Sequence, residues 1–547
     1  MDVNMSDRDA GAYHIKRLNE LKSIRSPLEA HWRKAYDATY PLRGERLNQI
    51  GVKSASESVA SSARAKQAIQ YDSTTRNAVR LLASTLIGGL TPQHTNWIDF
   101  KNLAGKNEPD ISHNEREWLD LAAKTVWRNI HSSNYDYIGY ECFIDYVIAG
   151  MFALYIEEGK GGKPYNFKQW PLYSIYCADS TGKGVVDTVY RDYQLTAEQA
   201  IAEFGAEVVS GDIIKSADKE PDKIFDFVQC VYPRVKPTAM ELPIASLHID
   251  VKSKKIMRDT GYNEMPVVVP RWMLIPDSVY SVGIIDDALP DHLTLNKVIE
   301  FVLQNAEIAI AGMWAVNENE VSNAKSIKLG PRKIIPVTGG RDSMWPLVPG
   351  TKFDVAMLEI ERLQKSITKT LLSDQLQPQD GPAMTATEVN VKTQLTQKLI
   401  VPLFGRLNPE LNEGMVKRCF NISIRRGDIP PPPESLRDKV VDIRYTSPLA
   451  KSQRLDDIGA IERFEMWITA ALAAGIEAPL EITNIDVMTR AKADYLGLPA
   501  SYLRPPEEVE KLRKDKARAI EQAKMEERRA AMGEKIVPQM LEKGMSQ

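Results

Sequence analysis

Of 547 residues only four are cysteine (Cys142, Cys177, Cys230 and Cys419), and none of them forms a CxxC pair. That spacing argues against a disulfide framework or a thiolate zinc site. It leaves reduced thiols acting as small core residues, the pattern of a cytoplasmic compartment. An excess of one charge is also missing: 70 Lys and Arg against 73 Asp and Glu give a net charge of -3. Proteins that hold nucleic acid through bulk charge carry a basic excess, so tight wrapping of DNA is disfavoured, whereas letting DNA slide past is not. Long apolar runs are absent too. Met1 to Gly11 is polar and acidic and offers no signal-peptide core. The most apolar helical stretch, Phe301 to Val316, is interrupted by Gln304, Asn305 and Glu307. It is shorter than the roughly 20 residues a membrane crossing needs, so no span is expected.

Catalytic signatures are equally scarce. No GxxxxGK[ST], HExxH, GxSxG or strand-linked GxGxxG occurs. The glycines between Gly159 and Lys163 run into Pro164 and read as a turn joining two strands. All seven histidines lie at or before His292, and no two have metal-ligand spacing. Asp286 and Asp287 are a conceivable magnesium pair, but no acidic cluster supports them, and charge at a helix N-terminus accounts for them. Neither cofactor nor metal is expected, and the chain is not read as an enzyme.

What is present is a layered pattern. With 43% hydrophobic and 26% charged residues, the chain is ordinary for a folded protein and long enough for two to four packed regions. Ile15, Leu18, Leu21, Ile24 and Leu28 form one helical stripe that continues to Trp32 and Tyr36. A second helix opens after Asp72 and Ser73, carries Val79, Leu82 and Leu86, and is expected to stop at Gly88 and Gly89. Further helices are expected over 114–130 and 137–153. The period then changes: 167–177 and 185–193 predict a hairpin about Asp179, Ser180, Thr181 and Gly182. Thr196 and Gln199 fit a capping box, and Gly205 ends that helix. Strands follow over 224–235, 246–255 and 265–272.

From Asp291 the grammar is different. With Pro290 in the first turn, 291–311 reads as a strongly apolar helix. A forty-residue segment rich in glycine and proline follows, and 353–372 is a second helix. An antiparallel stalk with a small β-rich tip is the natural reading. The segment 373–383 is polar and loop-like. A long helix begins at Thr385 and Glu388, is expected to kink at Pro402 and Pro409, and ends at Gly427. Helices over 454–474, 485–496 and 506–534 complete the chain. The fold class is α+β, mostly helical.

Several stretches in this order resemble a known family over about residues 12 to 510. They are Tyr71 to Arg76 with Leu86 to Pro92 and Trp97; Ser133 through Glu141 and Asp145 to Gly159; and Asp187 to Arg191 with Thr196, Gln199, Phe204 and Gly205. They continue with Arg271, Trp272, Tyr280, Gly283 and Ala288 to Pro290; Met384 to Glu388; and Tyr445 to Ala450 with Gln453 and Arg454. The chain is similar to the head-to-tail connecting, or portal, proteins of short-tailed double-stranded DNA bacteriophages. The resemblance implies a subunit of a twelve-fold ring around a DNA channel. It implies a wing over 1–280 and 385–450, stem helices over 281–311 and 353–372, a clip over 312–352, a tunnel loop over 373–384 and a crown over 451–547. It further implies residence at the capsid portal vertex of the virion after assembly in the host cytoplasm. Implied partners are the terminase large subunit, a tail adaptor, major capsid and scaffolding proteins, and DNA held without sequence specificity. Another structural phage protein, such as an adaptor or internal core protein, is the main rival; a multidomain hydrolase is the remoter one.

In a cyclic ring each interface joins two different faces of the subunit. Leu295, Val298, Ile299, Val302, Ala306 and Ile310 are too apolar for a helix with a solvated side. Either they are buried within their own subunit, or they also meet a neighbouring copy, which is the reading preferred here. Lys365 and Lys369 share a face that either is simply solvated, with Lys365 paired to Glu361, or touches phosphates in the channel. The segment with Gln375, Gln377, Pro378 and Gln379 is either a plain turn or, by the resemblance, the loop that projects to the channel axis. The terminal helix either bundles with its copies through Val509, Leu512, Ala519, Ile520 and Ala523 or stays solvated.

Overall fold

The computed structural model describes residues 7–48, 57–102, 113–234, 242–311, 314–317, 334–337, 344–346, 353–376, 405–436, 441–445, 448–475, 478–496, 498 and 502–544. The chain divides into two compact units. One comprises Met1–Ile98, Thr125–Ile429 and Ile443–Leu449; the other comprises Asp99–Lys124, Pro430–Asp442 and Ala450–Gln547. Taken together the elements are mostly helical, with small sheets.

The first unit begins with α1 (Asp7–Thr39) and α2 (Thr74–Leu90). Of the two residues expected to cap the α2 N-terminus, Asp72 makes the bond: the Thr74 amide donates to Asp72 Oδ1 at 2.8 Å, and the Ser73 side chain makes no cap bond. The helix also runs through Gly88 and Gly89 to Leu90, because Leu86 and Leu90 are both fully buried. Packing outweighs the weak propensity of glycine there. The helices α3 (His113–Ser132), of which His113–Lys124 belongs to the second unit, and α4 (Tyr135–Ala149) follow.

The expected extension of α4 to residue 153 is not seen. Gly150 closes the helix in the left-handed region at φ 78°, its amide bonded to the Tyr146 carbonyl. The chain then enters β1 (Ala153–Glu158), the first of the two strands expected on either side of the turn from Gly159 to Lys163. β1 lies between β2 (Tyr165–Trp170) and, later in the chain, Val267–Val268. The run expected as one strand over 167–177 is in fact two: β2 ends at Trp170, Pro171 interrupts the ladder, and β3 (Ile175–Ala178) joins a different sheet. The hairpin to β4 (Thr188–Thr196) holds, with Cys177 opposite Val189. Asp179 organises its turn by accepting from the amides of Thr181, Gly182 and Gly184 at 2.9, 2.8 and 2.5 Å.

The capping box is formed as read: Gln199 N donates to Thr196 Oγ1 at 3.2 Å, and Thr196 N donates to Gln199 Oε1 at 3.1 Å. It starts α5 (Ala197–Phe204), which ends at Gly205; α6 (Gly211–Lys219) had no clear signal. β5 (Ile224–Pro233), β6 (Ile244–Asp250) and β7 (Ile256–Tyr262) complete an antiparallel five-stranded sheet in the order β3-β4-β5-β6-β7. β6 stops at Asp250 in a tight turn, so β7 lies beyond the run expected over 246–255. The last strand expected, 265–272, shrinks to β8 (Val267–Val268).

Alternation along the strands coats both faces of this sheet. Val228 and Cys230 of β5 pack with Leu18 and Leu21 of α1. Phe225 and Phe227 pack with Ala197, Ala200 and Phe204 of α5 and Ile213 of α6. All four cysteines are buried and unbridged, and burial pushes the Cys177 thiol up to about 12.

Next come α7 (Ile285–Ala311), strands β9 (Trp314–Asn317), β10 (Ile334–Val337) and β11 (Met344–Pro346), and α8 (Phe353–Thr370). β9 is the central strand, parallel to β10 and antiparallel to β11, so the segment between the two helices is a small sheet. α7 starts before Pro290 rather than at it. Ile285 and Ala288 are fully buried, and that packing carries the helix through a proline that removes one backbone bond. The segment expected to be a loop opens with a helical turn, Ser373–Leu376. The start of the long helix and Pro402 lie outside the described residues. Pro409 falls in a wide helical stretch, Asn408–Glu413, with i to i+5 spacing, which absorbs the missing donor before α9 (Gly414–Arg426) continues to Gly427 at φ 77°.

The second unit holds α10 (Pro448–Ala473), α11 (Ile485–Tyr495) and α12 (Pro506–Gly544), the last longer than the expected 506–534. A two-pronged ion pair from Arg513 to Asp486, at 2.6 and 2.7 Å, ties α12 to α11. Lys492 of α11 reaches Glu465 of α10 at 2.7 Å. Leu512, Ile520 and Met525 of α12 remain exposed.

Candidate functional site

The site follows from the pair α7 and α8. At 1.5 Å per residue their 27 and 18 residues give rods of about 40 and 27 Å. Ser366, near the end of α8, donates to Asp291 Oδ2, near the start of α7, at 2.6 Å. The start of one rod therefore lies beside the end of the other, and the pair is antiparallel.

The root of the pair is fixed in the first unit by polar ties. His292 Nδ1 lies 2.8 Å from Thr75 Oγ1, both buried, and burial lowers the imidazole pKa. Gln364 donates to Asp72 Oδ2 at 2.9 Å. Asn296 accepts from the Tyr71 amide at 2.8 Å and donates to the Ile69 carbonyl at 3.1 Å. Asp286 Oδ2 lies 2.6 Å from His31 Nε2 of α1, and burial raises the Asp286 pKa. Asp287 is exposed on the helix surface, so the two neighbouring carboxylates do not converge. Among the described residues no group of three or more His, Cys, Asp or Glu is placed to hold a metal ion.

Burial falls steadily away from this root. Leu295 is 0% exposed; Val298, Ile299, Val302 and Ala306 are half-buried; Ile310 is 88% exposed. On α8, Leu363 and Ile367 are buried, as is Leu371 just beyond it, whereas Val355, Met357 and Leu358 are open, Leu358 at 69%. Phe301 and Leu303 are half-exposed as well. One subunit thus buries the lower half of an apolar stripe and leaves the upper half bare.

Lys365 and Lys369 are exposed one turn apart, Lys365 within 3.7 Å of the equally exposed Glu361. At that exposure the pair adds little to stability. α8 stops where Leu372 takes a left-handed conformation, φ 57°, which costs a leucine about 1–2 kcal/mol. The helix ends within two residues of the expected 372, although no glycine marks the bend. Beyond it Ser373 Oγ donates to the Thr368 carbonyl at 3.1 Å, and Gln375 lies partly buried in the short helical turn. Gln377, Pro378 and Gln379 lie outside the described residues.

Among the described residues no helix is long and apolar enough to cross a membrane. Residues 13–503 match the family model described as bacteriophage head to tail connecting protein. The chain is 24% identical to the portal protein of Salmonella phage epsilon15, over 93% of this chain and 91% of that one. It is 22% identical to the probable portal protein of Bordetella phage BPP-1, over 92% and 90%. It is 23% identical to the portal protein of Enterobacteria phage T3, over 77% of each. With the family model covering nearly the whole chain, from the first helix to beyond α11, this protein belongs to the bacteriophage head to tail connecting proteins.

Proposed function

We propose that this chain is the portal subunit of a short-tailed phage, a structural protein that closes with its copies into a ring through which double-stranded DNA enters and leaves the head. The observation that carries this reading is the antiparallel pair α7 and α8, rooted by polar ties and bare of apolar cover toward its far end, in a chain matched to portal proteins over about nine-tenths of its length. That coverage favours the portal over an adaptor or internal core protein. The stem comprises 281–311 and 353–372, with the clip over 312–352, the tunnel loop over 373–384, the wing over 1–280 and 385–450, and the crown over 451–547.

In such a ring Ile310, Leu303 and Phe301 of one copy cover Val355 and Leu358 of the next, a heterologous contact that repeats until it closes. Twelve copies are expected. Any residue facing the axis is multiplied by that number, so Lys365 and Lys369 give a strong local field despite a net charge of -3 per chain. Their contacts are to phosphate only, because base readout would arrest a moving duplex. Gln375, Gln377 and Gln379, with Pro378 stiffening the segment, offer weak exchangeable hydrogen bonds at the axis. The terminase supplies the energy; the tail adaptor docks at the clip, and capsid and scaffolding proteins at the wing, at one vertex of the virion.

The test is packaging. Heads assembled from the cognate capsid and scaffolding proteins with this chain should fill with DNA when terminase and ATP are added, and heads lacking it should stay empty. Filled heads without the chain would contradict the proposal.

A further inference from the structure

The second unit carries two apolar surfaces that its own helices leave bare. On α10, Ile458 and Ile468 are buried, and Glu465 on the same side takes Lys492 of α11 at 2.7 Å, so this side faces α11. Ala460, Phe464, Trp467, Ala471 and Ala474 recur at spacings of three and four on the opposite side. Phe464 and Trp467 stack there with ring centres 5.7 Å apart, 42% and 56% exposed. A helix that is apolar on both sides belongs between two partners.

The other surface is α12. Every residue from Glu510 to Glu526 is exposed, and Leu512, Ala519, Ile520 and Ala523 form one seam along the helix. A helix without tertiary cover is only marginally stable. Arg513 ties α12 to α11 through Asp486, and in that position α12 leaves the Phe464 side of α10 uncovered.

Lys516 decides what covers the seam. It stands within it, with Leu512 and Ile520 one turn to either side, and makes no ion pair among the described residues. The neighbouring Lys514 and Arg518 pair with Glu510 and Asp515. Were copies of α12 to bundle on their seams, ring symmetry would set each Lys516 beside the next at one height, a contact of like charges. The exposed faces of Phe464 and Trp467 suit a cation instead, Trp being the strongest such partner. Ala519 and Ala523 leave room for the large rings. A cyclic assembly also needs two different surfaces of the subunit to meet, and the second unit offers these two.

We propose that the aromatic stripe of α10 is covered by α12 of the adjacent copy, with Lys516 over the Phe464 and Trp467 pair. The contact rests on the ring reading, but the bare ends of α7 and α8 can meet without it, so the two fail separately.

The four native cysteines are buried, so engineered ones report alone. Full chains carrying Ala471→Cys and full chains carrying Ala519→Cys are co-expressed so that they assemble together, and the product is treated with a bismaleimide. Mixed rings should give cross-linked dimers on a denaturing gel, and rings of either variant alone should not. Dimers from Ala519→Cys rings alone would show that α12 copies meet one another, which overturns the proposal. Intact mixed rings that do not cross-link overturn it and leave the ring standing; absence of rings removes both. In the mixed rings Lys516→Glu should cut the dimer yield at least fivefold, whereas Lys516→Arg should keep it. A yield indifferent to that charge also overturns the proposal.

Discussion

His14 Nδ1 on α1 lies 2.8 Å from the hydroxyl of Tyr190 on β4, and this bond pins the first helix across the face of the five-stranded sheet. Burial lowers the His14 pKa to about 4, against an ordinary 6.5. Between those values the unfolded chain binds a proton that the folded chain does not. The contribution is therefore complete above pH 6.5 and is lost as pH falls toward 4. A shift of that size corresponds to on the order of 3 kcal/mol. His248, bonded to Tyr193 at 2.8 Å and also lowered to about 4, acts in the same direction. Thermal melts should show a large loss of stability from pH 7 to pH 4.5, and His14→Gln, which keeps a polar partner for Tyr190 but cannot titrate, should lose measurably less.

Gly150 should tolerate no side chain. Its φ is positive, and an added Cβ would sit 2.2 Å from the Val282 carbonyl oxygen. Its own carbonyl accepts from Trp272 N at 2.6 Å and Ser281 Oγ at 2.7 Å, so the backbone cannot move aside without losing both. Gly150→Ala should cost more than about 2 kcal/mol, the left-handed penalty plus the clash. Denaturant unfolding would measure it, and a loss below half that amount would show that the close approach is not rigid.

The root of the pair α7 and α8 depends on Thr75. Replacing it with valine keeps the shape but leaves the buried His292 Nδ1 without a partner, at a cost of about 1–3 kcal/mol. The loss should appear in chemical denaturation and should be reduced in Thr75→Ser, which keeps the hydroxyl.

Leu295 and Leu358 separate folding from assembly. Leu295 is fully buried, so Leu295→Ala should destabilise the subunit by about 2–5 kcal/mol. Leu358 is 69% exposed, so Leu358→Asp should leave the melting temperature of the isolated subunit within a degree or two. It should nonetheless abolish the ring seen by size-exclusion chromatography.

The local parts of this fold were legible in the sequence and the long-range ones were not. The capping box of Thr196 and Gln199 needs only three residues and a free helix end, and it is formed as read. The end of α4 was missed because Gly150 adopts its conformation to let Val282 and Gly283 pass, contacts more than a hundred residues away. Pro290 misled for the same reason, since burial of Ile285 and Ala288 decides where α7 begins. At the candidate site the apolar stripe from Leu295 to Ile310 was visible, but its division into a buried root and a bare end is set by which residues α1, α4 and α8 reach. The resemblance to head-to-tail connecting proteins, drawn from short ordered stretches, is borne out by the family match over residues 13–503.

On the proposed function the bare ends of α7 and α8 meet other copies around a hole. Electron microscopy of the purified full chain tests it most directly. Closed rings with a central channel should appear, and should be lost in Leu358→Asp while the subunit stays folded. A chain that remains a monomer at every concentration and salt tried, or one that forms rings indifferent to that substitution, would contradict it.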